Sequence, residues 1–275
     1  DAPALAACSA RAAPRAAAAW VYLARSQTER GELEAALESL RRAEDARPGS
    51  PTIRINRALA LRAAGGIEEA ERELRSLARE RPEILPGAVR LCEVLEERIE
   101  TERRRGSASE ARRLAEDLAR TAGDAAPRAE GHGLSGVAAS LRLAGARALE
   151  ALGRLDDASR ELGAARALAI RETESRAAPG EKAYGVLSAV LGASAALERR
   201  LGRLEPAAQG FREAAAAAEK AGVPRVAAGM KANEGSALFE LGRFADAEDA
   251  YRAALGLSPG DDAIAAAARE GLARA

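Results

Sequence analysis

The residues that ordinarily carry chemistry are sparse in this 275-residue chain. Its single histidine, His132, stands in the glycine-rich stretch GHGLSG (131–136), where a solvated loop residue is expected. No strand pattern precedes that stretch and no Gly-Lys-Ser/Thr follows it, so it is not a phosphate cradle. The two cysteines, Cys8 and Cys92, lie far apart and lack the spacing of metal ligands. Cys92 reads instead as a small buried residue at a helix contact. The 42 acidic residues show no recognisable carboxylate pair for acid–base work. The sequence therefore assigns no catalytic residue, no metal ligand and no cofactor, and it reads as a non-enzyme. What it does supply is arginine: only three of the 42 basic residues are lysines (Lys182, Lys220 and Lys231). A guanidinium offers a carboxylate two parallel hydrogen bonds, which is chemistry of recognition.

Composition narrows the partners. The 42 basic and 42 acidic residues cancel to a formal net charge of zero, so no global basic stripe awaits nucleic acid. The local run Arg103-Arg104-Arg105 is flanked by Glu96, Glu97, Glu100 and Glu102. No run of eighteen apolar residues is present, so no membrane insertion is expected. The abundance of alanine and the scarcity of lysine point to a GC-rich bacterial genome.

The elements that must position these residues follow a fixed internal frame. Glycines recur at Gly31, Gly65, Gly106, Gly153, Gly202 and Gly242. Five residues on stand Ala36, Ala70, Ala111, Ala158, Ala207 and Ala247. Nine on stand Leu40, Leu74, Ala115, Leu162, Phe211 and Tyr251, and twelve on stand Ala43, Leu77, Leu118, Ala165, Ala214 and Ala254. Although 73 residues are alanine, alanine at one chosen offset in all six repeats has odds of about 1 in 3000, so the register is not chance. Seven residues before the glycine stand Ala24, Ala58, Ala146, Ala195 and Gly235, all small, with Ile99 the exception. The frame describes antiparallel helix pairs. The glycine ends the first helix in a left-handed residue. Offsets five, nine and twelve form one buried stripe of the second helix. Pro48, Pro82 and Pro259, seventeen after their glycines, should stop second helices.

These residues resemble the tetratricopeptide repeat (TPR). The stretch Lys231 to Pro259 carries that family's Asn233, Gly235, Gly242, Phe244, Ala247, Tyr251, Ala254 and Pro259. The first repeat carries Trp20, Leu23, Ala24, Gly31, Ala36, Ala43 and Pro48, and Ile55 to Gly65 resembles a common variant of the first helix. The resemblance implies an all-α fold, an α-solenoid in which antiparallel helix pairs stack into a right-handed superhelix. Glycine spacings of 34, 41, 47, 49 and 40 depart from the family's period in the middle, so helices or connections there must be longer. In the third repeat seven residues are added between Leu95 and Gly106, which lengthens the first helix by about two turns and keeps its face.

The expected organisation is a remnant of a preceding repeat at 1–14, ended by Pro14; repeats one to three at 15–120; and a loop at 121–136, where Gly and Pro cluster. Repeats four to six follow at 137–259, with a second break at 174–181, and a capping helix at 260–275 opens on Asp261-Asp262. A stack that starts in mid-repeat reads as a piece of a longer bacterial protein.

In the TPR family the first helices line a concave groove. The resemblance places Arg25, Thr28, Ile55, Asn56, Leu59, Arg62, Arg90, Arg147, Ser236 and Phe239 on it. Arg25, Asn56 and Arg90 hold places where some members clamp a terminal carboxylate, while Val21 and Pro86 stand at two others. The function implied is a non-catalytic scaffold that binds a protein or peptide partner, a helix or a second copy of the chain included. The alternatives are a regulatory or sensor segment of a kinase- or ATPase-linked signalling protein, and a cell-envelope assembly lipoprotein. A cytoplasmic location is expected; the lipoprotein alternative would make it periplasmic or lipid-anchored through Cys8.

Overall fold

A computed structural model describes residues 2–175, 180–258 and 263–274, with the side chains of 2–14 and of 264 outside the description. Thirteen α-helices and no strand occur among the described residues. In chain order they are α1 (Ala2–Glu29), α2 (Leu33–Ala46), α3 (Pro51–Ala63), α4 (Ile67–Glu80), α5 (Leu85–Arg104), α6 (Ala108–Gly131) and α7 (Ser135–Ala151). They continue with α8 (Leu155–Glu174), α9 (Glu181–Arg200), α10 (Leu204–Lys220), α11 (Pro224–Glu240), α12 (Phe244–Leu257) and α13 (Ala263–Arg274). The contacts separate into two compact units, Asp1–Thr121 and Ala122–Ala275. In the first, α1 pairs with α2 and α3 with α4, and α3 lies beside both α1 and α5. In the second, α7 pairs with α8, α9 with α10 and α11 with α12, and α13 rests on α12 and α11.

The glycine frame is realised in all six turns. Gly31, Gly65, Gly106, Gly153, Gly202 and Gly242 have φ between 74° and 83°, where an L side chain is strained. Each turn is closed by the same bond, from the amide after the glycine to a carbonyl five residues back. It runs from Glu32 to Gln27, Gly66 to Leu61, Ser107 to Glu102, Arg154 to Leu149, Arg203 to Glu198 and Arg243 to Leu238, 2.9 Å in each case. That closure satisfies carbonyls which the end of a helix would otherwise leave bare. Every residue at offsets five, nine and twelve is buried, from Ala36 to Tyr251 and Ala254. The frame is therefore a packing register in which alanines allow close crossings. At one crossing a Cβ on Gly210 of α10 would come within 2.9 Å of the Ala195 Cβ on α9.

The irregular spacing is taken up by helix length. The outer helices α2, α4 and α12 have 14 residues, while α10 has 17, α8 has 20 and α6 has 24. Among first helices, α3 has 13 residues, α7 and α11 have 17, and α5 and α9 have 20. The seven-residue extension expected in the third repeat is the difference between α3 and α5.

Two boundaries differ from the sequence reading. The loop expected at 121–136 is helical as far as Gly131, and only residues 132–134 form a turn before α7. Ala122, Ala125, Ala126 and Ala129 make a buried stripe with helical spacing, and their burial holds α6 together. Pro127 lies within that helix on its exposed side, so its ring faces away from the packing. At the other end, α1 continues past residue 14 in one helix, so no helix end at Pro14 separates 1–14 from the repeat that follows. Pro259 and the Asp261-Asp262 cap lie outside the described residues.

Ion pairs join neighbouring helices throughout. In the first unit Arg54 on α3 meets Glu73 at 2.6 Å and Glu80 at 2.7 Å, both on α4. Glu71 of α4, which is buried, takes Arg75 of its own helix and Arg98 of α5, each at 2.5 Å, and Arg75 also reaches Asp117 of α6 at 2.8 Å. In the second unit Arg142 of α7 bridges Glu130 of α6 and Glu161 of α8 at 2.7 and 2.8 Å. There too, buried Glu234 of α11 is held by Arg212 of α10 at 2.7 Å and by Lys231 at 2.9 Å.

Candidate functional site

The residues expected on the groove fall into two sets, one in each unit. In the first unit they lie on α1, α3 and α5. Arg25 is exposed and Thr28 turns its hydroxyl back to the Ala24 carbonyl at 2.8 Å. Ile55 and Leu59 are half-buried on α3. Asn56 spends its side-chain amide on the Thr52 carbonyl, 2.7 Å away. Arg62 reaches Glu93 at 3.3 Å and Glu97 at 3.1 Å, and Arg90 reaches Glu93 at 2.6 Å. Glu93 thus collects two of the arginines, while Asn56 is occupied by its own helix. The carboxylate-clamp residues are not presented together as donors here.

In the second unit Arg147 of α7 is exposed, and Ser236 and Phe239 of α11 line a cavity of about 430 Å³. Its walls come from α9 (Arg199), α11 (Ser236, Phe239, Glu240), the turn glycine Gly242, α12 (Phe244, Tyr251) and α13 (Gly271, Arg274). The rings of Phe239 and Phe244 meet edge to face, with centroids 5.2 Å apart and planes at 66°. Phe244 opens α12 at the apolar offset two after Gly242, and 50% of its surface stays exposed. The Arg274 guanidinium lies over the Phe239 ring, 5.3 Å from its centroid. Arg199 grips Glu240 through Nε, at 3.1 Å, and through Nη2. Those hydrogen bonds hold the Arg199 guanidinium above its ordinary pKa against the opposing effect of burial.

Tyr251 forms the floor. Its hydroxyl donates to the Ser236 Oγ at 3.3 Å, and its ring is clasped between two glycines. A Cβ on Gly235 would come within 2.8 Å of the ring, and one on Gly271 within 2.5 Å of a Cε atom. The sequence places Ser236 and Phe239 on the groove but gives no sign of Arg199, Gly271 or Arg274. One signal was available: Gly235 replaces the usual alanine in the repeat whose offset nine is the bulky Tyr251. Arg274 and Gly271 lie on α13, outside the repeat frame, where no offset points to them.

His132 is exposed in the turn after α6. Cys92 is buried, and burial together with the charges of Glu96 and Glu93 pushes its thiol well above the ordinary range. Among the described residues no group of three or more His, Cys, Asp or Glu side chains could hold a metal ion. None of the described helices is long and apolar enough to cross a membrane.

Solved structures share this architecture. A thermophilic TPR protein of Thermus thermophilus superposes with a TM-score of 0.53 at 22% identity, over 82% of this chain and all of that one. The pilF protein of Pseudomonas aeruginosa gives 0.59 at 14% identity, over 96% of this chain and all of its own. The apo form of RapI gives 0.54 at 12%, over 94% and 99%. The fold is the TPR fold. No protein-family model and no curated protein matches the sequence, so the likeness is one of architecture. Within the TPR fold, Phe239 and Ser236 lie on the first helix of the sixth glycine-centred pair, and α13 supplies the wall that a further first helix would occupy.

Proposed function

We propose that this chain is a non-catalytic protein-interaction scaffold that holds a peptide or helix against the first-helix faces of its repeats. The observation that carries the reading is the cavity between α9, α11, α12 and α13, where two aromatic rings and an arginine meet around an open space. Aromatic and arginine side chains are the residues that most often dominate binding energy at interfaces. A cavity of about 430 Å³ is large enough to receive an anchoring side chain. The first-unit face, in which Arg62 and Arg90 are paired with Glu93, offers few anchors of its own. A partner of the second unit gains affinity from one anchoring side chain and from weaker contacts around it.

Selection from a random peptide library on the immobilised chain tests the reading. Enriched peptides should lose retention on a Phe244→Ala variant of unchanged helical content. Enriched peptides that both proteins retain equally, or no enrichment at all, would remove the cavity as the anchor.

A further inference from the structure

We infer that the cavity of the second unit selects a peptide segment in which a large apolar side chain is flanked by acidic ones; this rests on the binding role just proposed. The lining carries two guanidinium groups, Arg199 and Arg274, against one carboxylate, Glu240. Glu240 is already engaged by Arg199, through both of its oxygens, and so is not placed to receive a cation from a partner. Ser236 is also spent: its hydroxyl donates to the Ala232 carbonyl at 3.0 Å and accepts from Tyr251 at 3.3 Å.

Arg274 differs from all of these. Its guanidinium stacks on Phe239, and its ion pair with Glu270 is long, at 3.9 Å, with 64% of the side chain exposed. The donors of a guanidinium lie in its plane, so a stacked arginine keeps its hydrogen-bonding edge for a carboxylate. The wall therefore has an apolar part, the rings of Phe239, Phe244 and Tyr251, next to an edge of N–H donors with an excess positive charge. A carboxylate of the partner meets that edge while the neighbouring apolar side chain fills the space between the rings. A basic segment would face two arginines and find Glu240, the carboxylate of the lining, engaged.

The test uses the full chain and short fluorescein-labelled peptides of Gly and Ser around a central Glu-Phe-Glu, Lys-Phe-Lys or Glu-Ser-Glu. Each is made with a free and with an amidated C-terminus, and binding is read by fluorescence anisotropy. Glu-Phe-Glu should bind at least about tenfold tighter than the other two, the effect of one charge-assisted hydrogen bond or one anchoring ring, and amidation should not matter. Arg274→Glu should reverse the preference towards Lys-Phe-Lys, and Phe244→Ala should weaken Glu-Phe-Glu. Equal affinity for acidic and basic peptides, dependence on a free C-terminus, or an unaltered preference in Arg274→Glu would overturn the inference. If Lys-Phe-Lys binds best and Phe244→Ala abolishes it, the acidic selectivity falls while the binding role stands. If no cavity substitution changes binding, or no peptide binds, both fall.

Discussion

The buried carboxylate of Glu71 is the most exacting place to test the packing described above. It lies between α4 and α5 with 8% of its side chain exposed, and it takes Arg75 and Arg98 at 2.5 Å each. Arg98 is itself only 15% exposed, and its other carboxylate, Glu110, is 3.6 Å away. Glu71→Leu would leave Arg98 covered and poorly paired, while Arg75 would keep Asp117 at 2.8 Å. Removing one partner of a buried pair costs about 3–5 kcal/mol, and the partial exposure of both arginines lowers that to about 3. With a urea slope near 2 kcal/mol/M, the unfolding midpoint should fall by about 1.5 M. The chain has one tryptophan, Trp20, packed against the core of the first unit, so its fluorescence reports this unit's transition. Arg98→Met alone should cost less, because Glu71 retains Arg75. The double variant Glu71→Leu/Arg98→Met should recover part of the loss, leaving a coupling of about 1–3 kcal/mol. Two single effects that simply add, within about 0.5 kcal/mol, would refute the claim that these charges act as one cluster.

Other expectations follow from the same geometry. Ala207 is fully buried at a helix contact, so Ala207→Arg should destabilise by several kcal/mol through overpacking and a buried charge, seen as a lowered melting temperature by circular dichroism. Gly153 has φ 78° and open space around it, so Gly153→Ala should cost about 1 kcal/mol from backbone strain alone. Gly163→Ala, inside α8 and equally open, should instead gain about 0.5–1 kcal/mol in the same denaturation assay. Burial opposes ionisation of Glu73, yet hydrogen bonds from Arg54 and Arg57 hold its pKa below the ordinary 4.5. Because the folded value is depressed, its stabilisation is complete above about pH 4.5 and is lost as pH falls through the folded value. Trp20-detected stability that stays level from about pH 6 to about pH 3 would contradict this.

The glycine frame was legible because each of its positions obeys a local rule: a left-handed turn tolerates glycine, and a close crossing tolerates alanine. Stretch 121–136 was misread because Gly123 and Pro127 signal a break locally, whereas the stripe from Ala122 to Ala129 acts only through what it packs against. The ion pairs were illegible for a related reason. Arg98 and Glu71, or Arg142 and Glu161, stand on different helices, and among 42 acids and 42 bases no spacing singles them out. The cavity was half legible. Ser236 and Phe239 follow from the period of α11, but Arg274 meets Phe239 only because α13 lies across that helix.

The helix lengths bear on how such a chain can change over evolutionary time. Among the first helices, α7 and α5 exceed α3 by 4 and 7 residues, close to one and two whole turns, whereas the 6 residues by which α8 exceeds α2 are not a whole number of turns. An insertion of one or two whole turns returns the buried stripe to the same side and leaves the closing turn untouched; one of two or five residues would rotate alanines out to solvent and charges inward. In the first helices, then, length has changed with phase kept. A lineage of these repeats can grow taller by about 5 Å at a step while its turns stay constant. Homologous repeats compared by sequence alone should accordingly align well around the glycines and drift apart by three, four or seven residues towards the far ends of the helices.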